Sequence, residues 1–307
     1  MQGVLIIDKA AGMTSHDVVA KVRRILKEPR VGHTGTLDPF ATGVLVVLVG
    51  GATRLAQFLS GSDKEYEAVF RLGFATDTGD VTGKPLQPST EKLDQWSREE
   101  VETAIAGLRG EIDQVPPMYS AKKLAGKKLY ELARRGEQVE REPARVTISV
   151  FEMTQTADVF AQNSDGTTDI HVRVMCSAGT YIRTLAEDLG KRLGVGAHVV
   201  ELRRTRAGQF DLQQSLTLEQ LETKVQQDAL ADFVVSPDVA LEFLPQVCLT
   251  SLEVQHTQQG RPLKLSTPNE VLNDAALVRM RDQLGKLIAV GSYDLQTQLL
   301  RPRVVLS

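Results

Sequence analysis

Cysteine is almost missing from this chain: only Cys176 and Cys248 are present, far apart and without metal-type spacing. That excludes a disulfide framework and a zinc cluster as organising devices, and the two residues read as reduced thiols of a cytoplasmic protein. Long apolar runs are missing too. None approaches the length that crosses a bilayer, and the first residues lack a basic-then-apolar signal segment. Neither sign of charge dominates, the net charge being −3. The 42% hydrophobic and 24% charged residues are those of an ordinary soluble globular protein, and 307 residues allow one large domain plus a small one.

The net charge argues against a nucleic-acid binder, but its distribution points the other way. Residues 1–60 carry seven Lys/Arg against four Asp/Glu, and 118–146 carry eight against four. Residues 60–103 hold five against ten, and 213–243 one against six. Charge segregated in this way can build one basic face on an acidic protein, although charge runs also serve simply as solvated surface.

One stretch organises the rest, Arg30-Val-Gly-His33-Thr-Gly35-Thr-Leu37-Asp38-Pro39-Phe40-Ala-Thr42-Gly43-Val44-Leu45. Its glycines and proline forbid a long regular element, and the apolar Val44–Val49 behind it has the length and β-branching of a buried strand. A loop held by a rigid strand is where catalytic groups are typically found. His33 and Asp38 lack further metal ligands at usable spacing, no Gly-Lys-Ser/Thr follows the glycines, and no Gly-x-Ser-x-Gly is present. What is left is a carboxylate on a constrained turn, able to act as nucleophile or base; Asp before Pro also caps turns without any chemistry.

Gly32-His33-Thr34-Gly35-Thr36-Leu37-Asp38-Pro39-Phe40-Ala41-Thr42-Gly43 resembles the signature of TruB-type pseudouridine synthases. The resemblance implies that Asp38 is the catalytic nucleophile. It also implies that His33 enters the tRNA T loop and takes the place of the base that flips out.

The surrounding pattern is readable from local rules. Residues 3–8 form a short buried strand, and Thr14 and Ser15 offer N-cap hydroxyls for a helix to about Leu26. Lys64 to Gly73 alternates Tyr66, Ala68, Phe70 and Leu72 with mostly charged residues, a strand half-buried on one face. Lys-x-Tyr at this distance resembles the family's base-stacking tyrosine, which makes Tyr66 the implied base for the C5 proton. Residues 75–96, rich in Thr, Asp, Gly and Pro, read as a surface loop. A capping box, Ser97 with Glu100, opens a helix to about Leu108.

Further on, the spacing predicts a helix through residues 127–135 stopped by Gly136, with Lys127 and Arg134, and Lys128 and Arg135, sharing faces. Together with Lys122 this basic helix face suits an RNA backbone. Its motifs, Pro-Pro-Met-Tyr-Ser-Ala-Lys and Gly-Lys-x-Leu-Tyr, also resemble TruB. Residues 145–156 and 168–176 read as two strands. A helix from Tyr181 to Leu193 follows, with Ile182, Leu185, Leu189 and Leu193 as its core stripe. Arg183 breaks a local rule by placing a cation in the first helical turn, where the macrodipole disfavours it; Glu187 offers it a surface partner. Gly-Thr-Tyr-Ile-Arg resembles the family motif whose arginine pairs with the catalytic aspartate, with Tyr181 of the same motif meeting RNA. At Leu202-Arg203-Arg204-Thr-Arg206 the resemblance implies that the leucine packs against the target nucleotide, and the arginines at the strand end, Arg203 and Arg204 among them, suit phosphates.

The fold expected is α+β: a pseudouridine synthase catalytic domain (1–243) on a mixed, largely antiparallel sheet, then a small β-rich PUA-like RNA-binding domain (244–307). The resemblance implies isomerisation of the uridine at position 55 in the tRNA T loop, by base flipping and an aspartate-dependent glycosidic rearrangement. It implies no metal and no organic cofactor, and a monomer acting on the tRNA T stem-loop in the cytoplasm. The rival readings are a tRNA-binding chaperone using the same cleft, which needs no positioned nucleophile, and a glycosidase, for which no second carboxylate of motif quality appears. Asp38→Asn, isosteric but a poor nucleophile, is expected to leave folding and RNA binding intact while abolishing turnover. Retention of a tenth of wild-type turnover, measured on a T-loop RNA, removes Asp38 from the nucleophile role.

Overall fold

The β-branched run behind the signature loop becomes the spine of a large sheet in a computed structural model of the chain. The structure describes residues 1–86, 96–120, 122–124, 126–133, 135–137, 139–156, 160, 162–264 and 272–306, with the backbone alone at 123, 124 and 128.

In chain order the elements begin with β1 (Gly3–Lys9), α1 (Ser15–Leu26), β2 (Val31–His33) and β3 (Thr42–Val49). A 3-10 turn, Gly50–Leu55, leads into α2 (Ala56–Leu59), β4 (Lys64–Leu72), α3 (Arg98–Ala106) and β5 (Gly110–Gln114). Then come β6 (Lys123–Leu124), β7 (Lys127–Lys128), α4 (Leu129–Ala133), β8 (Ala144–Met153) and β9 (Thr168–Cys176). Next are α5 (Ile182–Arg192), β10 (Ala197–Ala207), β11 (Phe210–Asp211), α6 (Leu218–Gln226) and α7 (Pro237–Ala240). The last are β12 (Gln246–Cys248), α8 (Ser251–Gln258), β13 (Leu263–Lys264), β14 (Leu277–Arg281), β15 (Leu287–Asp294) and β16 (Leu299–Val305).

Among the described residues a nine-stranded sheet runs β1-β3-β10-β4-β9-β8-β5, with β2 beside β3 and β11 beside β10. Only the β3–β10 pairing in it is parallel, so the expected mixed, largely antiparallel sheet is what forms. β2 and β10 share one edge of β3: β2 pairs with Val47 to Val49, β10 with Thr42 and Gly43. The signature loop leaves the sheet through the gap between them. A second sheet, β12-β14-β15-β16-β13, follows.

The half-buried reading of β4 holds, with Tyr66, Ala68, Phe70 and Leu72 all buried. That face meets α3 and α5 in the largest apolar cluster, through Val101, Ile105, Leu185 and Leu189. α1 and α6 cover the other end, over Leu5, Ile7, Leu45 and Val47. The second sheet shares a core with the first, since Leu287, Val290, Val304 and Leu306 pack with Val4, Val44, Val46 and Leu55. Arg279 seals the junction by donating to the Leu244 and Asp238 carbonyls at 3.0 and 3.2 Å while pairing with the Asp238 carboxylate.

Two sequence expectations fail. Lys127 and Lys128 sit on a two-residue strand, with Gly126 at φ 83°, and the helix begins only at Leu129. A hairpin that returns the Leu129 amide to the Lys122 carbonyl (2.9 Å) replaces the first helical turn, so Lys127 lies on no helix face. Residues 76–80 are also not a free surface loop, whereas 81–86 are mostly exposed as expected and 87–95 lie outside the described residues. Val81 donates to Val199 (2.8 Å), Val199 donates to Gly79 (3.0 Å), and Asp80 is 4% exposed.

Gly43 shows why the loop ends as it does. Its φ is 101°, and a Cβ there would lie 2.2 Å from the Arg204 carbonyl oxygen on the parallel neighbour. Gly12 has φ 81° but open space around it. Gly43→Ala is therefore expected to cost more than about 3 kcal/mol, strain plus clash, against roughly 1 kcal/mol for Gly12→Ala. Equal midpoint shifts in urea unfolding would refute the close-approach argument.

Candidate active site

The signature loop is tied down on both sides of its carboxylate. Thr14 caps α1 with Asp17 in a reciprocal capping box, which leaves the neighbouring Ser15 hydroxyl free for another task. Buried Ser15 donates to the Leu37 carbonyl (3.1 Å) and accepts from the Leu37 amide (2.9 Å). On the other side Lys9, completely buried, donates to the carbonyls of Ala10 (2.9 Å), Met13 (2.8 Å) and Pro39 (3.3 Å). Burial lowers the Lys9 pKa to about 8, against a pull upward from Asp38. The Gly12 amide donates to Pro39 (2.8 Å) and the Ala41 amide to Asp38 (3.1 Å), closing the turn. Sequence reasoning missed Lys9 and read Ser15 only as an N-cap hydroxyl, because their partners are backbone atoms of a loop distant in sequence.

Asp38 meets Arg183 across the fold. Arg183 Nε lies 2.9 Å from Asp38 Oδ2 and Nη2 donates to Oδ1 at 3.2 Å, a bidentate pair. Arg183 is 4% exposed, and its other donors are used: Nη1 on the Thr78 carbonyl (2.7 Å) and Nη2 on the Tyr119 carbonyl (2.8 Å). Asp80 Oδ2 stands 3.5 Å from Nη1, so one guanidinium serves two carboxylates. This explains the cation in the first turn of α5. Its partners are Asp38 and Asp80, and Glu187 forms no ion pair with it among the described residues. Asp80 is held in turn by the hydroxyls of Thr78 and Thr82 and the Thr82 amide. It escaped the sequence reading because a Thr/Asp/Gly-rich segment looks the same whether exposed or stitched to a strand.

A cavity of about 240 Å³ opens over this pair, lined by Asp38, Tyr66, Tyr181, Arg183 and Leu202 among others. The Asp38 side chain keeps 31% of its surface exposed, toward the cavity. Burial pushes its pKa above the usual carboxylate value; Arg183 pulls it back and Asp80 adds to the push. Tyr66 is 8% exposed, and burial raises the pKa of its phenol, with the Arg204 guanidinium beside it opposing the rise. Tyr181 is held by Gln114, a buried residue that the sequence did not single out. The Gln114 side chain accepts from the Tyr181 amide (2.7 Å) and donates to its carbonyl (3.1 Å).

The remaining expected residues lie elsewhere. His33, half-buried on β2, does not line the cavity, although Thr34 next to it does. Its ring meets His16 edge-on at 5.6 Å, and burial lowers its pKa to about 4, so it is uncharged at neutral pH. Arg203 points from the opposite face of β10 and pairs with Asp8 at 2.7 Å. Arg204 is 2% exposed and donates to the carbonyls of Val44 (2.7 Å), Gly35 (3.0 Å) and Thr36 (3.4 Å). It plugs the gap through which the loop leaves the sheet, and is not the surface phosphate contact expected. Lys122 and Lys127 are exposed and do not line the cavity, although Ser120 does. The Lys128 side chain and Arg134 lie outside the described residues.

The shared guanidinium makes a checkable prediction. Asp80 raises the Asp38 pKa, so Asp80→Asn is expected to lower it. A carboxyl-carbon NMR titration of Asp38 in the two proteins reads the shift directly; an upward or absent shift would show that Asp38 does not feel the second carboxylate.

Comparison with known proteins agrees with this geometry. Residues 23–182 match the family model for the TruB family pseudouridylate synthase N-terminal domain, and residues 183–242 the tRNA pseudouridylate synthase B C-terminal domain. A protein from Solibacter usitatus (strain Ellin6076), named tRNA pseudouridine synthase B, is 43% identical over 307 residues, 100% of both chains. One of the same name from Bacillus thuringiensis (strain Al Hakam) is 41% identical over 294 residues, 95% of this chain and 93% of that one. Among solved structures, a chain of a Cbf5-Nop10-Gar1 complex superposes with a TM-score of 0.74 at 27% identity, covering 99% of this chain and 85% of that one. A chain of an H/ACA RNP bound to a substrate RNA containing 2'-deoxyuridine gives 0.72 at 26%, covering 99% and 85%. By its sequence and its fold, this chain belongs to the TruB family of pseudouridylate synthases.

Proposed function

We propose that the chain converts the uridine at position 55 of the tRNA T loop to pseudouridine. One observation carries the reading: a single cavity brings together a constrained carboxylate, its buried guanidinium partner, a buried tyrosine and an apolar wall. The isomerisation breaks the N-glycosidic bond, turns the uracil and closes a C–C bond, so nothing has to be supplied from outside. A base reaches such a cavity only by leaving its stack, which costs a few kcal/mol and must be offset by contacts within. Leu202 and the Tyr66 ring supply apolar walls for the pyrimidine. His33, uncharged and outside the cavity, suits a ring that fills the vacated place in the T loop.

Asp38 is the nucleophile in this reading. Arg183 aims the carboxylate and stabilises its ionised form against the cost of burial. Tyr66 is the group that takes the C5 proton. Its raised pKa keeps the phenol protonated at rest, so the step needs the adjacent Arg204 charge to stabilise a developing phenolate. The cavity is complete within one copy, so a monomer suffices for the reaction, and both cysteines are free, which supports a cytoplasmic enzyme. Residues 1–243 serve as the catalytic unit and 244–307 as a PUA-like RNA-binding unit, a division supported by the start of the second sheet at Gln246. A chaperone without turnover is disfavoured, because a desolvated Arg-Asp-Asp cluster is costly and gives a pure binder nothing.

The test is product analysis of a T stem-loop RNA after incubation with the wild type and with Tyr66→Phe. The wild type is expected to form pseudouridine at the one position. The Phe variant, able to stack but not to accept a proton, is expected to bind with similar affinity and lose product by a factor of roughly 10² or more. Full activity of Tyr66→Phe would reduce Tyr66 to packing, and a wild type that binds without product would leave the chaperone reading.

A further inference from the structure

Another wall of the same cavity carries two cations without an ion pair among the described residues, Asp63 acting on Lys64 only from beyond that distance. Lys64, half-buried at the start of β4, donates to the Ser60 carbonyl (2.8 Å) and to the Ser62 carbonyl. Arg204 beside it donates to three backbone carbonyls. Among the described residues, neither cation has a carboxylate within ion-pair distance, whereas Arg183 has two. The two converge on Gly35 of the signature loop, where a Cβ would lie 3.7 Å from Arg204 Nη1 and 3.8 Å from Lys64 Cε. Around the cavity and directly behind its loop stand four cations, Lys9, Lys64, Arg183 and Arg204, facing two carboxylates, Asp38 and Asp80.

Buried cations are ordinarily matched by an anion, since desolvating a charge is expensive unless a partner repays it. Here burial and the neighbouring Arg204 together lower the Lys64 pKa to about 8. An ammonium so placed, lining the cavity beside a second cation and without an ion pair, gains from a negative ligand that repays its desolvation. A lysine ammonium has three donors. Two are spent on Ser60 and Ser62, which aim the third. Three of the five Arg204 N–H donors are on carbonyls, so it contributes chiefly through its charge.

We infer that Lys64, backed by Arg204, forms a phosphate subsite for the RNA phosphodiester next to the flipped uridine. This rests on the uridine-isomerising reading of the cavity. Ser60, also on the cavity wall, lies beside it. The subsite would seat the backbone of the extruded nucleotide while Leu202 and Tyr66 hold its base. It also accounts for two cations kept beside the catalytic loop at a standing electrostatic cost that RNA binding removes.

The experiment replaces each phosphate flanking the target uridine, one at a time, with an uncharged methylphosphonate in a T stem-loop RNA. Binding is measured for the full-length wild type, Lys64→Met and Lys64→Arg, with product analysis run in parallel. In the wild type, one of the two flanking positions is expected to weaken binding roughly tenfold or more, as a charge-assisted hydrogen bond would. Lys64→Met is expected to weaken binding of unmodified RNA by a similar factor and to lose sensitivity at that position only, while Lys64→Arg keeps it. A wild type indifferent to both substitutions overturns the subsite without any variant. So does a Lys64→Met protein that stays folded and keeps the full position-specific loss. Competition by inorganic phosphate with no loss at either position would mark a free-anion site and equally overturn the inference. Position-specific loss without pseudouridine in the product would instead refute the isomerase reading and leave the subsite standing.

Discussion

The ion pair between Arg183 and Asp38 is the contact on which the rest of the structure depends. It joins residues 145 apart in sequence, one on a turn between β2 and β3 and one in the first turn of α5. Each end is over-determined. Asp38 is bracketed by Ser15 on Leu37 and Lys9 on Pro39, and Arg183 is held by the carbonyls of Thr78 and Tyr119. A buried pair of this kind adds little net stability, because desolvation consumes most of the Coulombic gain. Its value lies in geometry. The fold must close correctly at the signature loop, β1, α1, α5, the 76–82 segment and the approach to β6 before both charges are matched.

That requirement explains the position of the segment after β4. Asp80 turns a simple pair into a shared guanidinium, which raises the resting pKa of Asp38 above what Arg183 alone would set. A carboxylate that is ionised yet not deeply stabilised is more basic, and a more basic carboxylate is a better nucleophile. Gly79 is the hinge of this arrangement. Its φ is 73°, where any other residue is strained, and a Cβ there would lie 3.3 Å from Arg183 Cβ and push aside the Glu187 carboxylate, so glycine suits the passage over α5.

Arg204 organises the other half of the site. β2 and β10 take different parts of one edge of β3, and the carbonyls left between them would be unsatisfied without a donor. The Arg204 side chain fills that space, bonding Val44, Gly35 and Thr36 together. It does so as a cation, which leaves the cavity wall positive in a protein whose net charge is −3. The second sheet bears on the opposite side of the spine. Leu287, Val290 and Val304 pack against Val44 and Val46, so the strand that carries the loop is clamped from both directions.

The elements and their apolar faces were legible in the sequence because they follow local rules. The alternation of Tyr66, Ala68, Phe70 and Leu72, the N-cap hydroxyl at Thr14, the capping box at Ser97, and the Val44–Val49 run each need only neighbouring residues to be understood. Asp38 stood out as a carboxylate on a forced turn, and Arg183 as a cation at the wrong end of a helix. Asp80, Lys9, Ser15 and Gln114 were not legible in these roles, because each is defined by a partner far along the chain and sits in a segment whose composition suits solvent equally well. The same limit misplaced Arg204: three arginines at a strand end look alike until the sheet decides which face each takes. Local pattern thus determined what each segment is. Which charges meet, and which are left unmatched around the cavity, was decided only by tertiary structure, because Coulomb energy and desolvation depend on distance and burial and not on order in the chain.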